Sequence, residues 1–352
     1  ALNWVVSQNL LDELCFQYEY DERGRIIEKK IPGKGIEYII YDIEDRPILT
    51  QDAKQRLSNK WSFIFYDQLG RVKMSGIYTR NVSRQAIQDY FNGVVGLVTD
   101  DMLTLLSTFY YANDFYPPIS ADYEVYNYIY YDKYIYAPVN LATFSTTYAN
   151  MIPAGLPNAM PVINTNMTHG LITSTRTRVL KVPGSNLVDW IDVVNFYDSR
   201  QRLIQTQMIN QMGGIDIVTT QYDFNGKKLA EVAHHENPTV TEPLHQSNNI
   251  VRTYTYDGMG RPLTLSHKIN GAINMPLNSN VYDALGRLSV KYLGGSAETQ
   301  TYTYNLRGWL TAINPTWVND PNASHQFFGE VLCYDRGFAQ PKYNGNIAGI
   351  LW

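Results

Sequence analysis

The sequence is poor in cysteine, in charged residues and in long apolar runs. Its two cysteines, Cys15 and Cys333, are too few for a disulfide framework or a zinc site, so we interpret both as small buried hydrophobic residues. No run of about 18 apolar residues occurs, which excludes a membrane-spanning helix. Charged residues make up 18% of the chain and the net charge is -4, so no basic surface for nucleic acid is expected.

The start of the chain lacks the features of a secretory leader. Residues Ala1-Leu2-Asn3-Trp4 include neither a basic stretch nor an apolar segment, and the chain has no initiator methionine. We therefore expect the 352 residues to be an internal piece of a longer polypeptide.

The motifs of common catalytic and metal sites are also missing. The sequence has no Gly-x-Ser-x-Gly, no phosphate-binding glycine-rich loop and no His-Glu-x-x-His. The densest histidine cluster is His234-His235-Glu236, which we predict to be a polar loop and not a metal site, because Pro238 and Pro243 follow it. Isolated histidines are predicted to lie at the surface or in turns: His169, His267 and His325. No catalytic residue, metal ligand or cofactor is predicted, and we do not expect an enzyme.

What the sequence has in abundance is tyrosine, in a repeated pattern. There are 28 tyrosines, a residue that favours half-buried strand surfaces, and Tyr-Asp-x-x-Gly-Arg occurs eight times in strict or looser form. Six copies keep the tyrosine, the aspartate or asparagine and the glycine: Tyr20, Asp21 and Gly24; Tyr66, Asp67 and Gly70; Tyr222, Asp223 and Gly226; Tyr256, Asp257 and Gly260; Tyr282, Asp283 and Gly286; Tyr304, Asn305 and Gly308. Two looser copies begin at Tyr41 and Tyr197, and successive tyrosines are 21 to 34 residues apart except across one gap of 131.

Each copy of the repeat predicts the turn of a β-hairpin. The aspartate opens the turn and accepts a backbone N–H two residues on, while the glycine supplies a left-handed conformation. Asp45 and Gln201 take the place of that glycine in the looser copies. The arginine or lysine begins the return strand, close enough to pair with the turn aspartate. Hairpins in tandem predict a meandering antiparallel sheet that must curl because strands twist.

This pattern resembles the YD-repeat, or RHS-repeat, family, which includes bacterial polymorphic toxins, the shell subunits of insecticidal toxin complexes and animal teneurins. The segments 197–228 and 341–349 resemble it too. The resemblance implies an all-β fold of tandem antiparallel hairpins that curl into part of a hollow β-shell. It also implies partners: the remaining shell segments, an enclosed C-terminal toxin or cargo domain, and secretion machinery. The family's self-cleaving motif is not recognisable at Asp320-Pro321, so no cleavage is expected there.

The chain divides into three parts on this reading: hairpins in 1–76, a tyrosine-rich insertion in 77–195, and further hairpins in 196–352. Within the insertion, 83–91 predicts a short helix capped by Ser83, and 100–106 predicts a second. The alternating tyrosines of 123–136 predict a strand, the prolines of 138–161 predict an irregular loop, and 173–180 predicts a strand that returns to the sheet.

Two functions remain open at this level. The leading one is a non-catalytic shell segment of a large bacterial protein, secreted or at the cell surface, that encloses a C-terminal toxin or cargo. The alternative is an adhesion module that binds a glycan or a receptor, with Tyr126, Tyr128 and Tyr130 as a candidate aromatic binding strip. We favour the interpretation of these tyrosines as lining for their own sheet, because repeat tyrosines usually fill the face of the sheet to which they belong.

Overall fold

A computed structural model describes residues 7–92, 123–134, 137–181, 184–241, 246–320 and 326–352. In these ranges the chain is almost entirely antiparallel β-structure with a few short helices, which confirms the predicted all-β fold of tandem hairpins. No helix within them is both long enough and apolar enough to cross a membrane. The chain separates into two compact units, 1–138 with 168–193, and 139–167 with 194–352. The three-part division made from the sequence stays a prediction.

Unit 1 is a meander in which each strand pairs with the next one along the chain. Its strands are β1 (Gln17–Tyr20), β2 (Ile26–Lys30), β3 (Glu37–Tyr41), β4 (Pro47–Gln51), β5 (Lys60–Tyr66), β6 (Val72–Thr79), β7 (Tyr123–Tyr131) and β8 (Ile172–Arg178). Its helices are α1 (Gln8–Leu14), α2 (Ala53–Leu57) and α3 (Arg84–Phe91). β7, β8 and α3 confirm the strands and the first helix predicted for the insertion, and the second predicted helix, 100–106, lies outside the described residues.

The core of unit 1 is built from alternating residues of its strands. Trp61, Phe63 and Phe65 lie on one face of β5 because strand side chains alternate, and all three are buried. Phe63 and Phe65 stack at 4.9 Å. Helix α3 begins after Ser83, whose hydroxyl accepts the N–H of Ala86, and it buries Ile87 against this core.

Unit 2 continues the same kind of meander. Its strands are β9 (Trp190–Tyr197, divided between the units after Val193), β10 (Leu203–Ile209), β11 (Ile215–Tyr222), β12 (Lys228–Glu236), β13 (Ser247–Tyr256), β14 (Pro262–Ile269), β15 (Met275–Tyr282), β16 (Leu288–Leu293), β17 (Glu298–Tyr304), β18 (Leu310–Ile313), β19 (Glu330–Cys333) and β20 (Gly349–Leu351). Successive strands from β9 to β20 pair antiparallel. Two short helices complete it: α4 (Thr146–Ala149) and α5 (Pro315–Asn319).

The prediction of a polar loop at His234-His235-Glu236 is wrong. These residues end strand β12, which pairs with β13 in an unbroken register from Ala230–Thr253 to Glu236–Ser247. The hydrogen-bonded ladder overrides the loop-forming effect of the prolines because Pro238 comes only after the last paired residue. His267 likewise lies in strand β14 and not in a turn, whereas His169 is exposed.

The cysteines differ from each other in burial. Cys333, at the end of β19, is buried, as expected for a small hydrophobic residue. Cys15 is only partly buried, which corrects the expectation for that residue. It directly follows helix α1, which has no buried residue of its own.

The hairpin turns give a test of backbone strain with an internal control. Gly226 has φ +89° and an added Cβ would meet nothing within 4 Å, so Gly226→Ala isolates the cost of a left-handed alanine. We expect a loss of about 1–2 kcal/mol in the free energy of unfolding, measured by urea denaturation. Gly258 also lies in open space but without positive φ, so Gly258→Ala is expected to be neutral or to gain about 0.5 kcal/mol. Equal losses in the two variants would contradict this account of the turn.

Candidate functional site: the turn ladder

In six copies of the repeat the aspartate holds the turn and the following arginine together. At Asp67, Oδ1 accepts the N–H of Leu69 and of Arg71, each at 2.9 Å, and Oδ2 accepts Arg71 Nε at 2.7 Å. The same three contacts recur at five further aspartates: Asp21, Asp42, Asp198, Asp257 and Asp283. The carboxylate therefore fixes both the backbone turn and the direction of the guanidinium. These ion pairs are half-buried or better.

Each cation then contacts the tyrosine of the next repeat. The charged group lies 4.1 to 5.5 Å from the ring centroid in seven pairs: Arg25–Tyr41, Arg46–Tyr66, Arg71–Tyr131, Arg202–Tyr222, Lys227–Tyr256, Arg261–Tyr282 and Arg287–Tyr304. A cation over a tyrosine ring is attracted by the electrons of the ring face. One repeat is thereby attached to the next at its turn.

The tyrosine completes the link through its hydroxyl. In every one of these pairs the O–H donates to the backbone carbonyl of the residue that directly follows the cation, at 2.8 to 3.1 Å: Tyr41 to Ile26, Tyr66 to Pro47, Tyr131 to Val72, Tyr222 to Leu203, Tyr256 to Lys228, Tyr282 to Pro262 and Tyr304 to Leu288. We call the resulting chain of aspartate, cation and tyrosine contacts along each unit the turn ladder.

The ionisation of the ladder groups favours these contacts at neutral pH. Burial raises the pKa of the hydroxyls of Tyr41, Tyr66, Tyr131, Tyr256 and Tyr304, so they stay protonated and able to donate. At Asp198, burial alone would raise the pKa, but hydrogen bonds from the backbone and guanidinium of Arg202 outweigh it and lower the pKa. The Asp198 carboxylate is therefore ionised in the folded protein near neutral pH.

One rung of the ladder replaces both charges at once. Asn305 stands in the aspartate position and Trp309 in the arginine position. The Asn305 side-chain oxygen still accepts the N–H of Arg307 and of Trp309, each at 3.0 Å. The indole contacts Tyr334 at 5.1 Å, and the Tyr334 hydroxyl donates to Leu310 O at 2.8 Å. The link therefore keeps its geometry without an ion pair. A neutral side chain in one position goes with a neutral one in the other, because a partly buried charge without its partner destabilises the fold.

The structure adds two tyrosines that the sequence reasoning missed, Tyr334 and Tyr131. Tyr131-Asp132 lies inside the 131-residue gap, where Arg71 covers the ring at 4.1 Å and donates to both carboxylate oxygens of Asp132. The Asp132 N–H donates to Leu171 O, as the Asp21 N–H donates to Arg25 O in a short turn. Residues 133–170 are thus inserted between this Tyr-Asp pair and its return strand. The glycine and cation that identify the other copies therefore do not follow Asp132 directly in the sequence. The signal available was the Tyr-Asp dipeptide at the end of a tyrosine-rich strand.

In unit 2, part of this inserted segment packs on strands β10 to β12. The Gln205 amide accepts the N–H of Ser145 and donates to its carbonyl, as a neighbouring strand would. Gln205 is fully buried, and Phe144 contacts Phe196 edge to face at 5.8 Å. The predicted irregular loop therefore provides a cover for these strands.

The candidate aromatic strip lies largely inside unit 1. Tyr128 is 7% and Tyr130 is 9% exposed, and both belong to the hydrophobic core, while Tyr126 is partly buried. Tyr128 stacks with Tyr130 at 6.2 Å and contacts Trp190 at 5.7 Å. The hypothesis of an outward binding strip therefore does not hold for Tyr128 and Tyr130, whose rings pack into the core as lining of their own sheet.

Each histidine of β12 contacts either uncharged side chains or one acidic side chain. His234 Nδ1 lies 2.8 Å from the Asn249 side chain and its ring contacts Tyr148, whereas His235 Nδ1 lies 2.8 Å from Asp216. Throughout the part of the chain that the structure describes, no three His, Cys, Asp or Glu side chains come together in a way that would hold a metal ion.

Comparison with known proteins adds little to this geometry. No family model and no curated protein matches the chain. Among solved structures it is similar to a chain of the TcdB2-TccC3-Cdc42 crystal structure, at 14% identity over 92% of this chain with a TM-score of 0.27. It is also similar to a chain of a Photorhabdus luminescens Tc holotoxin pore, at 15% identity over 95% of this chain with a TM-score of 0.28. The chain spans 16% of each of those chains, and superposition this loose supports no conclusion about function.

The lowered pKa of Asp198 predicts a specific acid dependence. A carboxyl with a depressed folded pKa stabilises the fold above its unfolded pKa of about 4, and this stabilisation is lost as the pH falls through the folded pKa. Asp198→Asn is therefore expected to lower the free energy of unfolding by about 1–3 kcal/mol at pH 7. Its difference from the wild type should shrink towards zero by about pH 2, measured by urea denaturation across that range.

Asp335→Asn is the control for this measurement. Asp335 follows the ladder tyrosine Tyr334, but it is exposed and accepts no hydrogen bond from any residue that the structure describes. Its replacement should leave the free energy of unfolding unchanged at every pH. A difference between Asp198→Asn and wild type that stays constant down to low pH would show that the carboxylate charge is not what stabilises the turn.

Proposed function

We propose that this chain is a non-catalytic wall segment of a large secreted or surface-exposed RHS-type protein. The observation that carries the proposal is the burial pattern of Ser247–Tyr304. Strands β13 to β17 together contain at least ten tyrosine, leucine, isoleucine or valine residues. None of the residues in these five strands is buried. An ordinary globular sheet buries one face against a second layer. A sheet with two accessible faces has the form of a wall.

The two faces of this wall differ in chemistry. Where β13 pairs with β14, one face carries the apolar cross-strand pairs Tyr254–Leu265 and Ile250–Ile269, with the pair Arg252–His267 between them. The opposite face carries hydroxyls, with Thr255 paired to Thr264 through their side chains at 2.6 Å. A partition needs this asymmetry, because one side must contact an enclosed polypeptide and the other must contact water. The face that carries Ile250, Tyr254 and Leu265 fits contact with an enclosed chain.

The turn ladder supplies the continuity that a wall requires. A single layer has no core beneath it, so its stability comes from contacts between neighbouring hairpins. The Asp–Arg–Tyr links join each hairpin to the next at the same end of the strands. The YD-repeat resemblance adds the rest of the proposal: an enclosed C-terminal toxin or cargo domain, further shell segments and secretion from a bacterium.

Containment predicts protection of the enclosed segment. The full-length polypeptide that includes this chain is treated with a non-specific protease, and fragments are followed by mass spectrometry. We expect the segment C-terminal to the shell to be cut at least about tenfold more slowly than the same segment produced alone. Asp257→Asn combined with Asp283→Asn, which weakens two adjacent links, should increase cutting of that segment. The exposed turn variant Gly258→Ala should not.

Equal cutting of the free segment and the segment within the intact protein would contradict containment. The adhesion alternative gains no support from the structure of its candidate strip, because two of the three rings are in the core. Specific binding of the intact protein to cells, together with an unprotected C-terminal segment, would favour that alternative.

A further inference from the structure

An open cleft of about 500 Å³ in unit 1 is rich in guanidinium groups. Arg56 at the end of α2, Arg80 after β6 and Arg84 at the start of α3 all line it. Glu28 of β2 is the one carboxylate among the lining residues. Arg56 and Arg84 against Glu28 leave an excess of positive charge in a cleft of the size of small-molecule sites.

Contacts with Tyr38 and Gln51 fix the position of the Arg56 side chain. Its guanidinium lies 4.3 Å from the ring centroid of Tyr38, and its Nη1 donates to Gln51 O at 3.3 Å. Gln51 is itself buried, and its amide donates to Lys60 O at 3.0 Å. Such stacking leaves the remaining N–H groups of the guanidinium free to bind in one plane.

Arg84 belongs to a helix that is fixed to the sheet. Ile87 of α3 is buried in the core, and the Gln88 amide pairs with both the N–H and the carbonyl of Tyr41, at 2.9 and 2.8 Å. The Arg84 Nη2 donates to the side chain of Gln85 at 2.7 Å. Both arginines therefore project from anchored elements into one cleft.

These two arginines differ from those of the turn ladder. Each ladder arginine donates to an aspartate, whereas Arg56 and Arg84 form no ion pair with any carboxylate in the described ranges. The nearest acid, Glu28, is partly desolvated, and burial followed by the neighbouring Glu19 raises its pKa against the opposing effect of Arg84 and Arg56. Glu28 therefore compensates the two guanidiniums only in part.

We propose that this cleft binds a polyhydroxylated ligand that carries a phosphate or sulfate group. The guanidinium fork matches the oxygen atoms of such a group, which accept two parallel hydrogen bonds from one arginine. Amide side chains complete the lining and suit hydroxyl groups: Asn59, Asn81 and Gln85.

The binding is tested by isothermal titration calorimetry of the 352-residue chain at low salt. Inorganic phosphate, inorganic sulfate, glucose 6-phosphate and glucose are titrated in turn. We expect saturable binding of one equivalent for glucose 6-phosphate, weaker binding of the two free anions, and none for glucose. Tighter binding of free phosphate than of glucose 6-phosphate would place a simple anion in the cleft and overturn the polyhydroxylated ligand.

Substitutions in the cleft separate recognition from general charge. Arg84→Ala should weaken glucose 6-phosphate binding at least about tenfold, and Arg84→Lys should restore only part of it because an ammonium lacks the planar fork. Glu28→Gln should strengthen binding by about two- to tenfold, a gain that damage to the fold would not produce. Arg178→Ala, which removes a guanidinium paired with Glu124 outside the cleft, is the control and should leave the affinity unchanged.

Melting temperatures of each variant, measured in parallel, show whether the fold is intact. The proposal is overturned if glucose 6-phosphate shows no saturable binding. It is also overturned if Arg178→Ala weakens binding as much as Arg84→Ala, since the attraction would then come from overall charge alone.

Discussion

The link from one hairpin turn to the next is the interaction on which the rest of this structure depends. An aspartate fixes the turn and aims an arginine, the arginine covers the tyrosine of the following repeat, and that tyrosine returns a hydrogen bond to the backbone beside the arginine. Each contact alone contributes about 1 kcal/mol or less. These contacts stabilise the sheet together, because most hairpins are attached to the next by the same three kinds of contact.

This link explains how the chain supports two different kinds of sheet. In unit 1, the strands from β3 to β7 also bury a core of tryptophan, phenylalanine and tyrosine rings. In Ser247–Tyr304 of unit 2 no residue is buried, and the ladder continues without change. Because the turn contacts do not require a core, the repeat is able to extend as a single layer. The cleft that contains Arg56 and Arg84 does not follow the repeat pattern, because these two arginines form no ion pair with a carboxylate in the described ranges.

The repeat made much of the fold predictable and left particular contacts out of reach. The Tyr-Asp-x-x-Gly-Arg spacing predicts the hairpins because aspartate and glycine act within one turn, over a few residues. The attachment of Arg261 to Tyr282 was not predicted, since it joins residues 21 positions apart that only the register of the sheet brings together. Tyr131 was missed because an insertion separates it from its return strand. His234 was placed in a loop because strand pairing with β13 is a tertiary effect that local composition does not record.

A double-mutant cycle on Arg261 and Tyr282 tests the central claim most directly. These residues lie in the part of unit 2 without buried residues, with the guanidinium 4.4 Å from the ring centroid. The variants Arg261→Gln, Tyr282→Leu and their combination are compared by urea denaturation, with Arg261→Gln and Tyr304→Leu as a control pair two turns apart. The account predicts a coupling free energy of about 0.5–1 kcal/mol for the first pair and about zero for the second. Equal coupling in both pairs, or none in either, would contradict the claim that neighbouring turns are joined.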